Sequence, residues 1–276
     1  MRIDAHQHCW AIKRGDYGWI TPEVPVLYRD YLPIDLEPIL QKHGIERTIA
    51  VQAAPTLAET EYLLALSEMT DTIAGVVAWL DLDDPEHFSH YERLSKHPKL
   101  VGFRLMIQEM SDASAVLEPH FIQALKLYAD KDIPVDLLVK SDQLGSLIEL
   151  LERVPHLRGV VDHIAKPRIA EGILDPWRTQ ITEIARHKGI YCKLSGMITE
   201  ADHKTWKPEQ LLAYIRHTID VFGPERVMFG SDWPVCLLAG SYDEVVQVLK
   251  EAIPESWTEA EREQLFGLNA KEFYKI

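Results

Sequence analysis

Cysteine is scarce in this sequence: Cys9, Cys192 and Cys236 are the only three among 276 residues. An odd, widely spaced set excludes a disulfide framework and a CxxC or zinc-ribbon arrangement, and it favours a reducing compartment, so a cytoplasmic location is expected. Positive charge is also in deficit, with 29 Lys and Arg against 43 Asp and Glu and a formal charge of −14. That balance argues against nucleic acid or an anionic membrane surface as a partner, while leaving room for a local basic cluster that binds a small anion. No uncharged run approaches the roughly 18 residues of a membrane span, and the opening MRIDAHQHCW has no apolar signal region. Phosphate-loop and dinucleotide fingerprints are missing too, and the acidic stretch Asp81 to Glu86 does not have EF-hand spacing.

What remains is an ordinary globular composition, 46% hydrophobic and 26% charged, in a chain long enough to bury roughly 75% of its extended surface. Short apolar runs alternate with longer amphipathic stretches, the rhythm of βα units. Strands are expected to begin near Arg2, Arg47, Ile73, Leu100, Ile133, Gly159, Ile190 and Arg226. Eight such units predict a (β/α)8 TIM barrel with an extended first βα loop, residues 1–276 forming one domain; an open doubly wound sheet is the alternative. Gly44 is placed to end a helix over Asp35 to Lys42, and Ser241 with Glu244 and Thr258 with Glu261 have capping-box spacing. Leu63 to Met69 and Leu144 to Leu151 carry the apolar spacing of helices packed on a barrel. The long first loop, Cys9 to Pro33, and the segments Ile164 to Pro176 and Ser195 to Pro208 are expected at the mouth.

Three strand ends carry chemistry. In Asp4-Ala-His6-Gln-His8, period-two spacing puts the carboxylate and both imidazoles on one strand face. GVVDHIAKP ends a strand with Asp162 and His163; alternation sends His163 toward the pocket and Asp162 toward the helix layer or a loop. VMFGSDWP places Asp232 at the end of the eighth strand, beside Trp233 and next to the first strand if the sheet closes. Arg104 in VGFRLM is a fourth strand-end candidate, its planar guanidinium suited to a carboxylate or a polarised carbonyl. Each has a plainer reading as a turn cap, a local ion pair or a polar network. Their convergence at one mouth carries more weight than any single motif.

These motifs, with YCKLSG and the terminal LFGLNAKEFY, resemble the amidohydrolase superfamily, specifically the amidohydrolase-2 group that includes sugar-lactone hydrolases of the fuconolactonase and rhamnonolactonase type. The resemblance covers nearly the whole chain. It implies that His6, His8, His163 and Asp232 occupy the group's histidine and aspartate positions, and that Arg104 falls on the arginine of the related lactonases. No lysine matches the bridging carbamate of binuclear relatives, since strand four closes with Arg104, so a two-metal site is not expected.

The implied activity is hydrolysis of a sugar-acid lactone, a small-molecule substrate. Asp232 is the expected base; His6, His8, His163 and Asp232 either bind one divalent ion, with zinc the natural choice, or work without metal, the histidines polarising the carbonyl directly. Arg104 and His163 complete the catalytic set. Arg104, Lys166, Trp10, Tyr17, Trp19 and Trp233 are the expected substrate contacts, with Tyr28 a further aromatic on the same loop; Trp10, Tyr17, Trp19 and Tyr28 serve equally well as cover residues for the barrel. Tyr191 and Lys193 share a face of strand seven as an aromatic beside a cation, with no chemical step assigned. Cys9 and Cys192 are read as packed thiols rather than nucleophiles. Two competing functions remain: a zinc-dependent decarboxylase of an unsaturated carboxylic acid, and a non-catalytic ligand-binding barrel. Assembly as a homo-oligomer is left open.

Overall fold

Eight parallel strands alternate with helices along the structure, a computed structural model that describes residues 1–276. In chain order they are β1 (Ile3–Gln7), α1 (Pro33–His43), β2 (Arg47–Val51), α2 (Leu57–Glu68), β3 (Ile73–Trp79), α3 (His87–Leu94), β4 (Leu100–Met106) and α4 (Pro119–Asp130). The second half runs β5 (Val135–Leu138), α5 (Leu144–Arg153), β6 (Gly159–Val161), α6 (Trp177–Ile184), β7 (Ile190–Leu194), α7 (Pro208–Phe222), β8 (Val227–Phe229) and α8 (Tyr242–Ala252). Two short helices follow, α9 (Glu259–Glu263) and α10 (Asn269–Tyr274). The strands pair in sequence order, and a parallel bridge between Gln7 and Trp233 joins the last strand end to the first. There Asp232 N–H donates to the His6 carbonyl at 2.8 Å, and His8 N–H donates to the Trp233 carbonyl at 2.7 Å. This nearly closed sheet is a (β/α)8 barrel, which disposes of the open-sheet alternative.

The sequence punctuation works as read. Gly44 adopts φ 65° after α1, a left-handed cap that its missing Cβ allows. Ser241 and Thr258 accept from the backbone N–H groups of Glu244 and Glu261 at the starts of α8 and α9. Around the barrel, helix stripes such as Leu144, Leu147, Leu150 and Leu151 of α5 are buried. Inside it, Ile49, Val51, Val77, Val160 and Met228 form a second apolar core with Phe273 and Tyr274 of α10. Helix α10 therefore plugs the strand N-termini, where Tyr274 shares a cleft with Arg47, Leu100 and Arg158. No helix is long and apolar enough to cross a membrane.

One expectation about β1 is corrected. Its pairing with β2 shifts register between Asp4 and Gln7, so the strict alternation breaks. Asp4 turns outward, where it accepts from the Tyr242 hydroxyl of α8 at 3.0 Å and the Ser231 N–H at 2.8 Å. His6 and His8 alone enter the mouth.

The loop after β2 is held by a buried acid. Glu59 is fully buried in the first turn of α2; one oxygen accepts from Ala53 N–H at 3.1 Å and the other has no hydrogen-bond partner. Burial pushes its carboxyl up to about 8. The protonated acid favours the folded state fully below the ordinary Glu range, and that contribution is lost as pH rises through about 8. Glu59→Gln is expected to melt progressively higher than the unmodified protein between pH 5 and pH 9, the gap widening by about 2 °C or more. Parallel melting curves across that range would contradict this.

Candidate active site

Short strands and tight turns create the site. Strand β6 ends at Val161, and His163, Ile164, Ala165 and Lys166 follow with φ of 55°, 47°, 61° and 46°. Four successive left-handed residues, including a β-branched isoleucine, are sterically costly, by about 1–2 kcal/mol each. They are braced by Lys166 N–H donating to the His163 carbonyl at 2.8 Å and by the Trp177 indole donating to the Ile164 carbonyl at 2.7 Å. Val160, two residues earlier, points into the barrel, so alternation itself brings Asp162 inward, correcting the expectation that it faces the helices; the left-handed turn then brings His163 into the mouth beside it. Strand β8 likewise stops at Phe229, and Asp232 sits at φ 58° over the mouth. Gly196, φ 64°, lies directly beneath His163; a Cβ there would stand 2.6 Å from its Nδ1.

Three ligand atoms converge in the mouth. His6 Nε2 and His8 Nε2 are 3.3 Å apart, and they lie 3.8 Å and 3.4 Å from Asp232 Oδ1. His163 Nε2 approaches the same oxygen at 3.9 Å, while its Nδ1 meets Ser195 Oγ at 2.9 Å. His8 is fixed by donating from Nδ1 to the Val51 carbonyl, 2.8 Å away. The three ligands fit a divalent ion: tetrahedral ligation with Zn–N and Zn–O bonds of about 2.0–2.2 Å puts neighbouring ligand atoms about 3.3–3.6 Å apart.

Electrostatics separates the roles. Burial raises the Asp232 carboxyl, but the neighbouring His163 and His8 imidazoles outweigh it and the net direction is below the usual Asp range. Burial drives His6 and His163 well below the ordinary histidine value, against the pull of Asp162 on the first and Asp232 on the second. At neutral pH the mouth thus offers an ionised carboxylate beside neutral imidazoles at His6 and His163.

Beneath it lies a buried ionic cluster whose function the sequence does not declare. Lys193 of β7 is wholly buried, with Nζ bonded to Asp136 of β5, 3.1 Å from Asp162 Oδ1 and 3.2 Å from His6 Nδ1. Asp136 also accepts from the Tyr274 hydroxyl at 2.7 Å. Arg104 donates to the Gln52 carbonyl and sits 3.5 Å from the second Asp162 oxygen. Lys193 is therefore a core cation, and Tyr191 packs at the barrel floor against Phe273 with ring centroids 5.0 Å apart. The expected aromatic platform beside a cation is not formed in the pocket. The available sequence signal was a charge centred in each of two apolar strands, VDLL and IYCKL.

A cavity of about 520 Å³ opens above these groups, lined by His8, Arg104, His163, Lys166, Asp232 and Trp19 among others. Asp16, Gln108 and Glu109, not singled out from sequence, add polar groups to its wall. The Trp19 indole donates to the Ala53 carbonyl at 2.7 Å, which fixes its ring. Trp10, Tyr17 and Trp233 lie behind the wall rather than on it. Trp10 is completely buried and spends its N–H on the Arg29 carbonyl, while Trp233 packs edge-on against Tyr31. Tyr28 is exposed outside the pocket. Cys9, Cys192 and Cys236 are buried free thiols, and burial raises all three far from the thiolate form.

Comparison with known proteins agrees with this geometry. The amidohydrolase family model matches residues 3–276. An L-fucono-1,5-lactonase of Burkholderia ambifaria is 37% identical over 287 residues, covering 100% of this chain and 96% of the relative. A Burkholderia multivorans protein of the same name is 38% identical over 291 residues, with the same coverage. A solved amidohydrolase from Burkholderia multivorans with bound zinc superposes with a TM-score of 0.94 at 38% identity, covering 100% of this chain and 99% of that one. A full-length family match, an eight-stranded barrel and a histidine–aspartate mouth lead to one conclusion: the chain belongs to the amidohydrolase family.

Proposed function

We propose that this protein hydrolyses a sugar-acid lactone, of the L-fucono-1,5-lactone kind, to the open aldonic acid. The observation that carries the reading is Asp232: a buried carboxylate kept ionised among imidazoles at the floor of a polar cavity. The full-length likeness to two L-fucono-1,5-lactonases supports the substrate class.

Asp232 orients water and takes its proton as the oxygen attacks the lactone carbonyl carbon. The Ser195 hydroxyl donates to His163 Nδ1, leaving the imidazole proton on Nε2 to meet the developing oxyanion, with the Arg104 guanidinium beside it. When the tetrahedral species collapses, the bond to the ring oxygen breaks and Asp232 returns its proton to that leaving alkoxide. Lys166, Asp16, Gln108 and Glu109 face the hydroxyls, and the fixed Trp19 ring covers the sugar's CH surface. His6, His8 and Asp232 would hold a divalent ion such as zinc, with His163 in reach as a further ligand; bound there, the ion would polarise the carbonyl or acidify water. We place this activity in the cytoplasm, on the strength of three unpaired buried thiols.

Asp232→Asn, which keeps side-chain size, is expected to fold normally and to lose at least about 100-fold in turnover with saturating lactone at matched metal content. Near-native turnover would remove Asp232 as the base, and carbon dioxide release without lactone opening by the unmodified protein would favour the decarboxylase reading. Gly196→Ala tests the placement of His163. Its Cβ would push the ring upward from below, so turnover should fall by about 100-fold while the circular dichroism spectrum is retained. Unchanged turnover in the folded variant would show that His163 needs no exact placement.

A further inference from the structure

Nδ1 of His6 lies between a donor and an acceptor. Lys193 Nζ is 3.2 Å away in hydrogen-bonding geometry, whereas Asp162 Oδ1 is 3.3 Å away and receives no hydrogen bond from any group. The ammonium has only protons to offer, so a hydrogen bond from Lys193 requires a bare Nδ1 and puts the proton of a neutral His6 on Nε2. That proton faces His8 Nε2 at 3.3 Å. The arrangement is complementary because His8 must donate from Nδ1 to the Val51 carbonyl, which leaves its own Nε2 as an acceptor when the ring is neutral. A single directional chain results: Lys193 to His6, His6 to His8, His8 to Val51. The opposite His6 tautomer would aim two nitrogen lone pairs at each other, an arrangement that makes sense only with a cation between them.

We propose that Lys193 is a positioning residue that sets the His6 tautomer and thereby opposes metal binding, making His6 a two-state selector between a metal-free donor and a metal ligand. For His6 to ligate through Nε2, its proton must move to Nδ1, where Asp162 Oδ1 becomes its acceptor and Lys193 loses one. Asp162 Oδ1, ion-paired with Lys193 at 3.1 Å but receiving no hydrogen bond, is thus the acceptor that the second state needs, while Oδ2 keeps its hydrogen bond from Arg104. His6 stays neutral throughout; only the position of its proton changes. The inference about metal rests on the reading that His6, His8 and Asp232 hold a divalent ion, but the tautomer assignment does not.

Long-range proton–nitrogen-15 correlation spectra of the unmodified, metal-free protein at pH 8 are expected to place the His6 proton on Nε2. Finding it on Nδ1, with His8 neutral or as an imidazolium, would overturn the proposal outright. The second arm titrates zinc alone into the Asp136→Asn/Lys193→Met double variant. This removes one buried charge of each sign, so the net charge is unchanged, and the position of the His6 proton separates a tautomer effect from relief of repulsion by the nearby cation. The His6 proton should move to Nδ1 before any metal is added, and zinc should bind about tenfold tighter, the scale on which groups bonded to metal ligands act. Asp136→Asn alone, which keeps Lys193, should bind zinc as the unmodified protein does. Zinc binding in the folded double variant no tighter than in the unmodified protein would refute the opposition to metal. If zinc binds to neither at His6 and His8, the metal-site reading fails while the tautomer result still stands or falls alone. Should the double variant not fold, the spectrum of the unmodified protein decides the assignment.

Discussion

The ion cluster of Lys193 with Asp136 and Asp162 is the constraint around which the barrel is organised. All three side chains are fully buried, and a charge taken from water at such a depth is tolerated only when paired and hydrogen-bonded. Burial raises Asp136 to about 6 against the pull of Lys193, whereas Lys193 and His6 outweigh burial at Asp162 and hold it well below the ordinary range. The cluster divides the barrel interior into two levels. Below it Tyr274 and Phe273 plug an apolar floor; above it Arg104, His6 and His163 face the cavity. Each upper residue is anchored, directly or through one neighbour, to Asp162.

The same economy governs the strand ends. Long strands would carry the chain onward in regular alternation, with Asp162 inward after Val160 and His163 outward. Ending β6 at Val161 lets the backbone enter a left-handed turn that brings His163 inward beside Asp162, and ending β8 at Phe229 lets Asp232 take a left-handed conformation at the mouth. Local strain of this kind persists where the surroundings over-determine it. Here the Trp177 indole, the contact of Gly196 beneath His163, and the hydrogen bond from Asp232 N–H to the His6 carbonyl supply that determination.

The barrel was legible because its signals are periodic and local: apolar runs bounded by turn residues, with Gly44, Ser241 and Thr258 marking helix ends. The residues gathered at the mouth were legible as polar interruptions of apolar strands. What was misjudged were a break in the alternation of one strand and the phase of another. A register shift in β1 separates Asp4, which faces α8, from His6 and His8, and in β6 Val160 rather than Val161 faces the interior, which puts Asp162 inward. In Gly-Val-Val neither valine is marked as the inner one, and the shift in β1 leaves no mark in a period-two pattern. Trp10 has two readings, sugar platform and loop scaffold, that its residue type does not separate; its complete burial and the antiparallel bridge from Trp10 to Tyr31 favour the scaffold. Lys193 stood in plain view, but its importance depends on Asp136 and Asp162, which are remote in sequence and meet it only through closure of the sheet.

In the proposed reaction water, activated at Asp232, attacks the acyl carbon of a lactone. Single-turnover hydrolysis of L-fucono-1,5-lactone in oxygen-18 water tests it most directly, with mass analysis of the product. One heavy oxygen is expected, located in the new carboxylate and absent from the hydroxyl that was the ring oxygen. Label in that hydroxyl would mean attack at the alkyl carbon, and no turnover of any sugar lactone by the folded protein would contradict the account altogether.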